Sequence, residues 1–272
     1  MSLGLVKRAF SRFLANDCMG LAKEIAYSSL LAFFPAIVAL VGLLDLVGAY
    51  GSLEQFLRPV APGAVTSLIE TFQRDSRGGG SLVALVLGLG GALWAASGAM
   101  GAIVKSVNRT HDCKETRPFW KLKLTSVVLV LASAVVVIGT LLLVVVGGTI
   151  GKAISRKTTL GGAFTWTWDI ARWPIAFAAV LLLFALVSYL APNFEQRQWR
   201  WITPGTAAAG ALWLVLSGLF ALYSSLSSSY SKTYGSLAGA IVLLLWLNYT
   251  SWAILFGAEL DAEVDRSRAV RP

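Results

Sequence analysis

Charge is scarce in this chain: Asp, Glu, Lys and Arg make up only 14% of its 272 residues, where a soluble globular protein carries about 25%. Histidine occurs once, at His111, and cysteine twice, at Cys18 and Cys113. A single histidine argues against the clustered His and carboxylate sets that hold catalytic metal ions. The neighbouring side chains of THDC (110–113) do not easily converge on one ion, and no Ser-His-Asp set assembles around a loop histidine. No glycine-rich loop ending in Lys-Ser/Thr is present, which argues against ATP hydrolysis. The two cysteines fall in segments assigned below to the cytoplasm, so no disulfide is expected. The chain is therefore read as a non-enzyme with no metal and no cofactor.

Apolar residues are abundant. They make up 56% of the chain, with a mean hydropathy of +0.70, 10 Trp and 26 Gly, which makes the membrane the natural solvent. About 20 apolar residues cross a bilayer core. Six runs qualify: Ile25–Gly48, Ser81–Val104, Leu124–Ile150, Trp173–Leu190, Ile202–Tyr223 and Ser236–Gly257. The first begins too late for a cleavable signal peptide. Lys and Arg concentrate before span one, in the second loop (Lys105, Arg109, Lys114, Arg117, Lys121, Lys123), in the fourth loop (Arg197, Arg200) and in the tail. By the positive-inside rule both termini face the cytoplasm. The net charge of +9 is then a feature of loops facing anionic headgroups rather than a nucleic-acid footprint.

The expected fold is an all-α integral membrane protein with six transmembrane helices. It forms a single domain over 1–272: an interfacial N-terminal helix within 1–24, a bundle over 25–258 and a cytoplasmic tail from 259. In the first segment Leu3, Val6, Phe10, Phe13 and Leu14 repeat at helical spacing opposite Lys7, Arg8 and Arg12, the pattern of a helix lying in the membrane interface. The first outer loop shows two short amphipathic patterns around Pro62-Gly63, with GGGS at 78–81 as a joint. No inverted repeat is visible.

The last span carries two anomalies. Asn248, Tyr249, Thr250 and Ser251 interrupt it, and residues 248, 251, 252, 255 and 259 share a helix face. That places Asn248 and Glu259 about 16 Å apart on one side. A polar face in lipid turns toward protein, either to bond a neighbouring helix or to line a cavity. Four acids then follow, Glu259, Asp261, Glu263 and Asp265, at a helix end whose dipole prefers cations. Their i,i+4 pairs repel. Nearby cations would relieve this, and the six-cation loop suggests that Arg109 or Arg117 meets Glu259 or Glu263.

The string YGSLAGAIVLLLWLNYTSWAILFGAELDAE (234–263) closely resembles the last helix of the YihY/BrkB family, bacterial inner-membrane proteins once labelled ribonuclease BN. AYSSLLAFFP (26–35) is similar to the family, as are Trp94, Ser97 and Gly98, then Val107, Asn108 and Arg109. So are Arg117, Pro118, Phe119 and Trp120, APN (191–193) and TPG (203–205). Asp261 stands where the family often has Asn. The resemblance implies a six-helix inner-membrane protein with a transport or envelope role.

Pro35 removes a helix bond and frees the Leu31 carbonyl beside Ser28 and Ser29, so Tyr27, Ser28 and Pro35 form a candidate cavity wall. Asn248 and Ser251 form another, with Tyr234 at the Ser-rich outer loop as an outer gate. Glu259 and Glu263 with Arg109 and Arg117 are the candidate inner gate. Asp45 is an intramembrane charge near the outer interface, and Arg172 opens span four. Small residues in span two (Gly91/Ala95, Ser97/Gly101, Gly98/Ala102) and in PGTAAAGALW (204–213) allow close helix approach. The leading functional expectation is a secondary transporter or exporter of a small organic or lipid-like substrate. A lipid flippase or scramblase and a non-transporting envelope scaffold are the alternatives. Membrane lipids and the substrate are the expected partners, a homo-oligomer is compatible, and ribonuclease activity is disfavoured.

Overall fold

The structure is a computed structural model that describes residues 3–46, 81–141, 143, 161–193, 202–226 and 237–269. Among the described residues there are seven α-helices: α1 (Leu3–Ala15), α2 (Cys18–Leu46), α3 (Ser81–Thr110), α4 (Phe119–Leu141), α5 (Gly161–Leu190), α6 (Pro204–Leu226) and α7 (Leu237–Ala269). Five hold stretches long and apolar enough to cross a bilayer: Val86–Thr110, Phe119–Thr140, Trp166–Leu190, Pro204–Tyr223 and Gly239–Arg268. These coincide with spans two to six. The first expected span falls on α2, a helix of 29 residues that runs through Pro35. The patterns at 51–80 and the Ser-rich loop with Tyr234 lie outside the described residues.

The surface of these helices is inside-out relative to a soluble protein. Leu87 is 70% exposed, Val135 72% and Trp166 70%. Contiguous apolar exposure of this kind marks a surface that water does not wet. A bilayer supplies the missing contact, and each helix closes its own backbone hydrogen bonds.

Of the boundaries that differ from expectation, three change the surroundings of charged residues. Helix α5 begins at Gly161 rather than Trp173, so Arg172 lies inside it. There Arg172 pairs with Asp169 one turn earlier at 3.5 Å and lies 5.9 Å from the Trp173 ring centroid. Helix α3 continues to Thr110, carrying Lys105, Asn108 and Arg109 on the helix instead of in a loop. Helix α7 continues to Ala269, twelve residues beyond Gly257, with Arg266 and Arg268 in its last turn. The acids therefore do not end the helix, and its C-terminal dipole faces cations as usual.

The described chain divides into two compact units. One comprises 1–16, 107–212 and 253–272, and the other 17–106 and 213–252. In the first unit, Leu129, Leu255 and Leu260 have no exposed surface, and Phe184 and Val187 are buried. In the second, Cys18, Ala22, Ile25, Ala26 and Val104 are among the most deeply buried residues.

Candidate functional site

In the first unit the C-terminal turns of α7 are polar yet buried. Glu259 is 0% exposed, and Asp261 and Glu263 are 8% exposed each. Two of the acids are engaged by α1 and the residue just after it, and the third by the start of α6. Asn16, just after α1, donates its Nδ2–H to Glu259 Oε1 at 2.6 Å. Arg8 of α1 donates Nε–H to Glu263 Oε1 at 2.5 Å, and Arg266 approaches Glu263 Oε2 at 3.5 Å. Asp261 serves the start of α6: Oδ1 accepts the Gly205 backbone N–H at 2.7 Å and Oδ2 accepts the Thr203 hydroxyl at 2.6 Å.

The local sequence explains that last contact. Thr203 and Thr206 exchange backbone N–H bonds through their hydroxyls, at 2.8 and 3.0 Å, a reciprocal capping arrangement. Pro204 occupies the first helical position, where a missing N–H costs nothing. The Gly205 N–H is then one of the orphan donors of the helix start, and Asp261 satisfies it with a charge that the dipole favours. Glycine is required on both sides of this crossing. A Cβ on Gly257 would stand 2.6 Å from the Gly205 carbonyl oxygen, and a Cβ on Gly205 would run into the Gly257 carbonyl and the Asp261 carboxylate.

The turn after α3 joins the same cluster. Cys113 N–H bonds the Asn108 carbonyl at 2.9 Å and Asp112 N–H bonds the Arg109 carbonyl at 3.2 Å, with Asp112 in the left-handed region at φ 55°. This is the Schellman ending, with Asp where Gly is usual. The carboxylate gives the reason: Asp112 Oδ2 accepts from Arg266 Nη2 at 2.7 Å and lies 3.6 Å from Arg12 Nη1. Arg266 Nη2 also donates to the Thr110 carbonyl at 3.0 Å, capping α3.

A second network lies along residues 108–117 and 190–193. Arg117 forks onto Glu115 at 2.8 and 2.6 Å and caps α5 by donating to the Ala191 carbonyl at 2.8 Å and the Leu190 carbonyl at 3.4 Å. Asn108 donates to Glu115 at 2.7 Å and accepts the Asn193 N–H at 2.8 Å. Asn193 donates in turn to the Lys114 carbonyl and the Thr116 hydroxyl. The hydrogen bond from Arg117 holds the Glu115 carboxyl below its ordinary range. Burial lowers the His111 pKa, and the imidazole Nδ1 sits 3.0 Å from the Val107 carbonyl, where a neutral ring donates its proton. Burial and the neighbouring Asp112 push the Cys113 thiol up, and Cys18 and Cys113 form no disulfide.

The expected pairing of Arg109 or Arg117 with Glu259 or Glu263 is thus replaced. Arg117 is committed to Glu115 and the end of α5, and Arg109 is exposed on α3. Arg8 and Arg266 take the carboxylate of Glu263 instead. Reach decides this, because Arg8 lies on a helix packed against α7 through Phe13 and Phe256, whose ring centroids are 6.2 Å apart.

The cavity candidates fall in the second unit. Ser251 donates to the Leu247 carbonyl of its own helix at 2.8 Å, so it bonds no neighbouring helix through that proton. Trp213 Nε1 donates to Thr250 and Trp246 Nε1 to Ser217, each at 3.3 Å, between α6 and α7. Asn248 Oδ1 and Trp252 Nε1, one turn apart on α7, are buried with no hydrogen-bond partner among the described residues. Tyr27 is 60% exposed on α2, and Ser28 and Pro35 are half-buried. Asp45 lies on α2, with its side chain outside the described part. Glycines 91 and 98 meet nothing within 4 Å, so close approach is not found at those span-two positions.

The model of the family described as virulence factor BrkB matches residues 9–272. The chain belongs to the BrkB family. Bacillus subtilis (strain 168) has a relative named as a ribonuclease-like protein, YfkH, that is 33% identical over 96% of this chain and 94% of its own length. UPF0761 membrane proteins of Rhodospirillum centenum and Aromatoleum aromaticum are 27% and 28% identical over 98% and 96% of this chain. The chain spans 59% and 64% of those two relatives. No solved structure matches it. With these relatives and its span-length apolar helices, the chain is a multi-pass membrane protein of the BrkB family. The family-like strings quoted above contribute Asn108, Arg117, Asn193, Thr203, Gly205, Glu259, Asp261 and Glu263 to the two networks in the first unit.

Proposed function

We propose that this BrkB-family chain is a secondary transporter or exporter of a small organic or amphipathic substrate. On this reading it sits in the bacterial inner membrane with both termini in the cytoplasm, as the distribution of Lys and Arg supports. The observation that carries the reading is the pair Asn248 Oδ1 and Trp252 Nε1. In a membrane-spanning helix, polar atoms without partners cost several kcal/mol each, and a passing substrate with a neutral polar group would relieve that cost. Tyr27, Ser28, Pro35 and Ser251 belong to the same unit as this pair, and the paucity of charge there suits a neutral or lipid-like molecule. The inner gate on this reading is Glu259 and Glu263 with Arg8, Arg266 and Asp112.

The test uses the full chain in liposomes carrying fluorescent phospholipid in both leaflets and entrapped labelled organic solutes. A membrane-impermeant quencher is added outside. Quenching beyond half the signal, or solute loss above protein-free vesicles, is expected, with either reduced by Asn248→Leu. Lipid movement alone would favour the flippase reading. Neither lipid nor solute movement would refute transport and favour the scaffold.

The ribonuclease-like name of YfkH suggests a second reading, which we propose does not extend to this chain. A metal-dependent nuclease needs convergent His and carboxylate ligands. Among the described residues no group of three His, Cys, Asp or Glu is placed to hold an ion, and His111 is tied to its own helix end. RNA cleavage by purified protein that disappears in His111→Ala would overturn this.

A further inference from the structure

Helix α1 has two faces with different fates. Ala9 and Phe13 are buried, and Arg8 and Asn16 reach the acids of α7. Leu3, Phe10 and Leu14, seven and four residues apart, share another face and are 88%, 53% and 50% exposed. The sequence pattern had grouped Phe13 with these three. The structure turns Phe13 inward onto Phe256 and leaves a narrower free stripe. The occupant of that stripe follows from its surroundings. Phe256 lies inside the apolar stretch Gly239–Arg268 of α7, so α1 packs beside a membrane-spanning segment. Its thirteen residues include Lys7, Arg8 and Arg12 and no acid, which complements anionic headgroups.

We infer that α1 is a lipid-binding strap: the Leu3–Phe10–Leu14 stripe enters the headgroup–acyl boundary of an anionic leaflet, while Arg8 and Asn16 tether the opposite face to the acids of α7. Lys7 shares the outer face and extends its ammonium to the headgroups from an apolar stem. The stripe holds its depth because the tether sets the rotation of the helix. The tether shares Arg8 and Glu263 with the proposed inner gate, but the depth of the stripe is read without any substrate movement.

The test places single nitroxide labels at Phe10, Leu14 or Ser11, each mutated to Cys in a Cys18→Ala, Cys113→Ser background of the full chain. The protein is reconstituted in phosphatidylcholine vesicles with or without phosphatidylglycerol. All three label sites are exposed, so the labels displace no buried side chain. Labels at 10 and 14 are expected to relax several-fold more with oxygen than with a water-soluble nickel chelate, and the label at 11 to show the reverse. Insertion should be shallower without phosphatidylglycerol. In an Arg8→Gln background the contrast between 10 and 11 should shrink. Labels at 10 and 14 as open to nickel as 11 would overturn the proposal, as would labels shut to both reagents, which would mean a protein partner such as a second copy. Equal depth in both vesicles would overturn the anionic preference, and an unchanged contrast in Arg8→Gln would overturn the tether.

Discussion

Alanine at Gly257 or Gly205 tests the crossing of α6 and α7. A Cβ at Gly257 would lie 2.6 Å from the Gly205 carbonyl oxygen and 2.7 Å from Ala209 Cβ. Carbon atoms in contact sit about 3.5–4.0 Å apart, so the helices must separate by about 1 Å. Overpacking of this kind costs about 1–3 kcal/mol. At Gly205 the new methyl also displaces Asp261, whose carboxylate bonds the Gly205 N–H at 2.7 Å. Hydrogen bonds to charged groups contribute about 1.5–3 kcal/mol, which brings Gly205→Ala to about 3–5 kcal/mol. Gly98 and Gly139 are the controls, since nothing lies within 4 Å of an added Cβ at either. Alanine there should stabilise the helix by about 0.5–1 kcal/mol. With about 2–4 °C of Tm per kcal/mol for a chain of this size, the two pairs should shift in opposite directions. Thermal unfolding of purified protein, followed by tryptophan fluorescence, reads the sign directly. Equal shifts for Gly257→Ala and Gly98→Ala would refute the close crossing.

Arg8→Ala and Glu263→Gln should couple in a double-mutant cycle by about 1 kcal/mol, modest because the Arg8 side chain is 58% exposed while that of Glu263 is 10% exposed; additive Tm shifts would refute the pair. Asp112→Asn should destabilise more than Asp112→Gly, because glycine recovers about 1 kcal/mol of left-handed strain that offsets the lost Arg266 contact, and the reverse order of Tm values would count against the Schellman reading. Of the three shifted groups near the networks, His111 and Glu115 have lowered pKa values, so these two contribute stability that is lost on acidification. The His111 part is complete above about pH 6.5 and declines as pH falls through its lowered folded value; Tm measured from pH 7.5 to 5 should fall less in His111→Gln. The Glu115 part is complete above about pH 4.3 and disappears below it, so Glu115→Gln should lower Tm at pH 7 and flatten the acid limb.

The spans were legible because a membrane helix must be apolar along most of its length, and five of six apolar runs reappear as span-length helices. Their ends were less legible, because charges that look like loop residues find partners within the fold. Asp169 and Arg172 pair inside α5, and the acids of α7 are taken up by α1 and by the start of α6. That the acids need partners could be read from their repulsion. Which cation answers could not, since any of several Arg on one side fits until packing sets the reach. Asn16, Asn193 and Thr203 were not singled out as site residues. The signal for two of them was present in APN and TPG, short polar strings directly after or before an apolar run, where helix ends need caps.

The contacts of α7 also impose an order on synthesis. Arg8 and Glu263 are separated by 255 positions, and Asn16 and Glu259 by 243. At about 5–20 residues per second of translation, α1 waits roughly 13–50 s for its partners to be made. Throughout that interval its two faces are both uncommitted, and the start of α6 lacks the carboxylate that caps it. A ribosome that stops within α7 releases a chain whose apolar helices are nearly all present but whose first unit cannot close. Synthesis of the turns that carry Glu259, Asp261 and Glu263 is thus the event that lets α1 and the start of α6 find their partners.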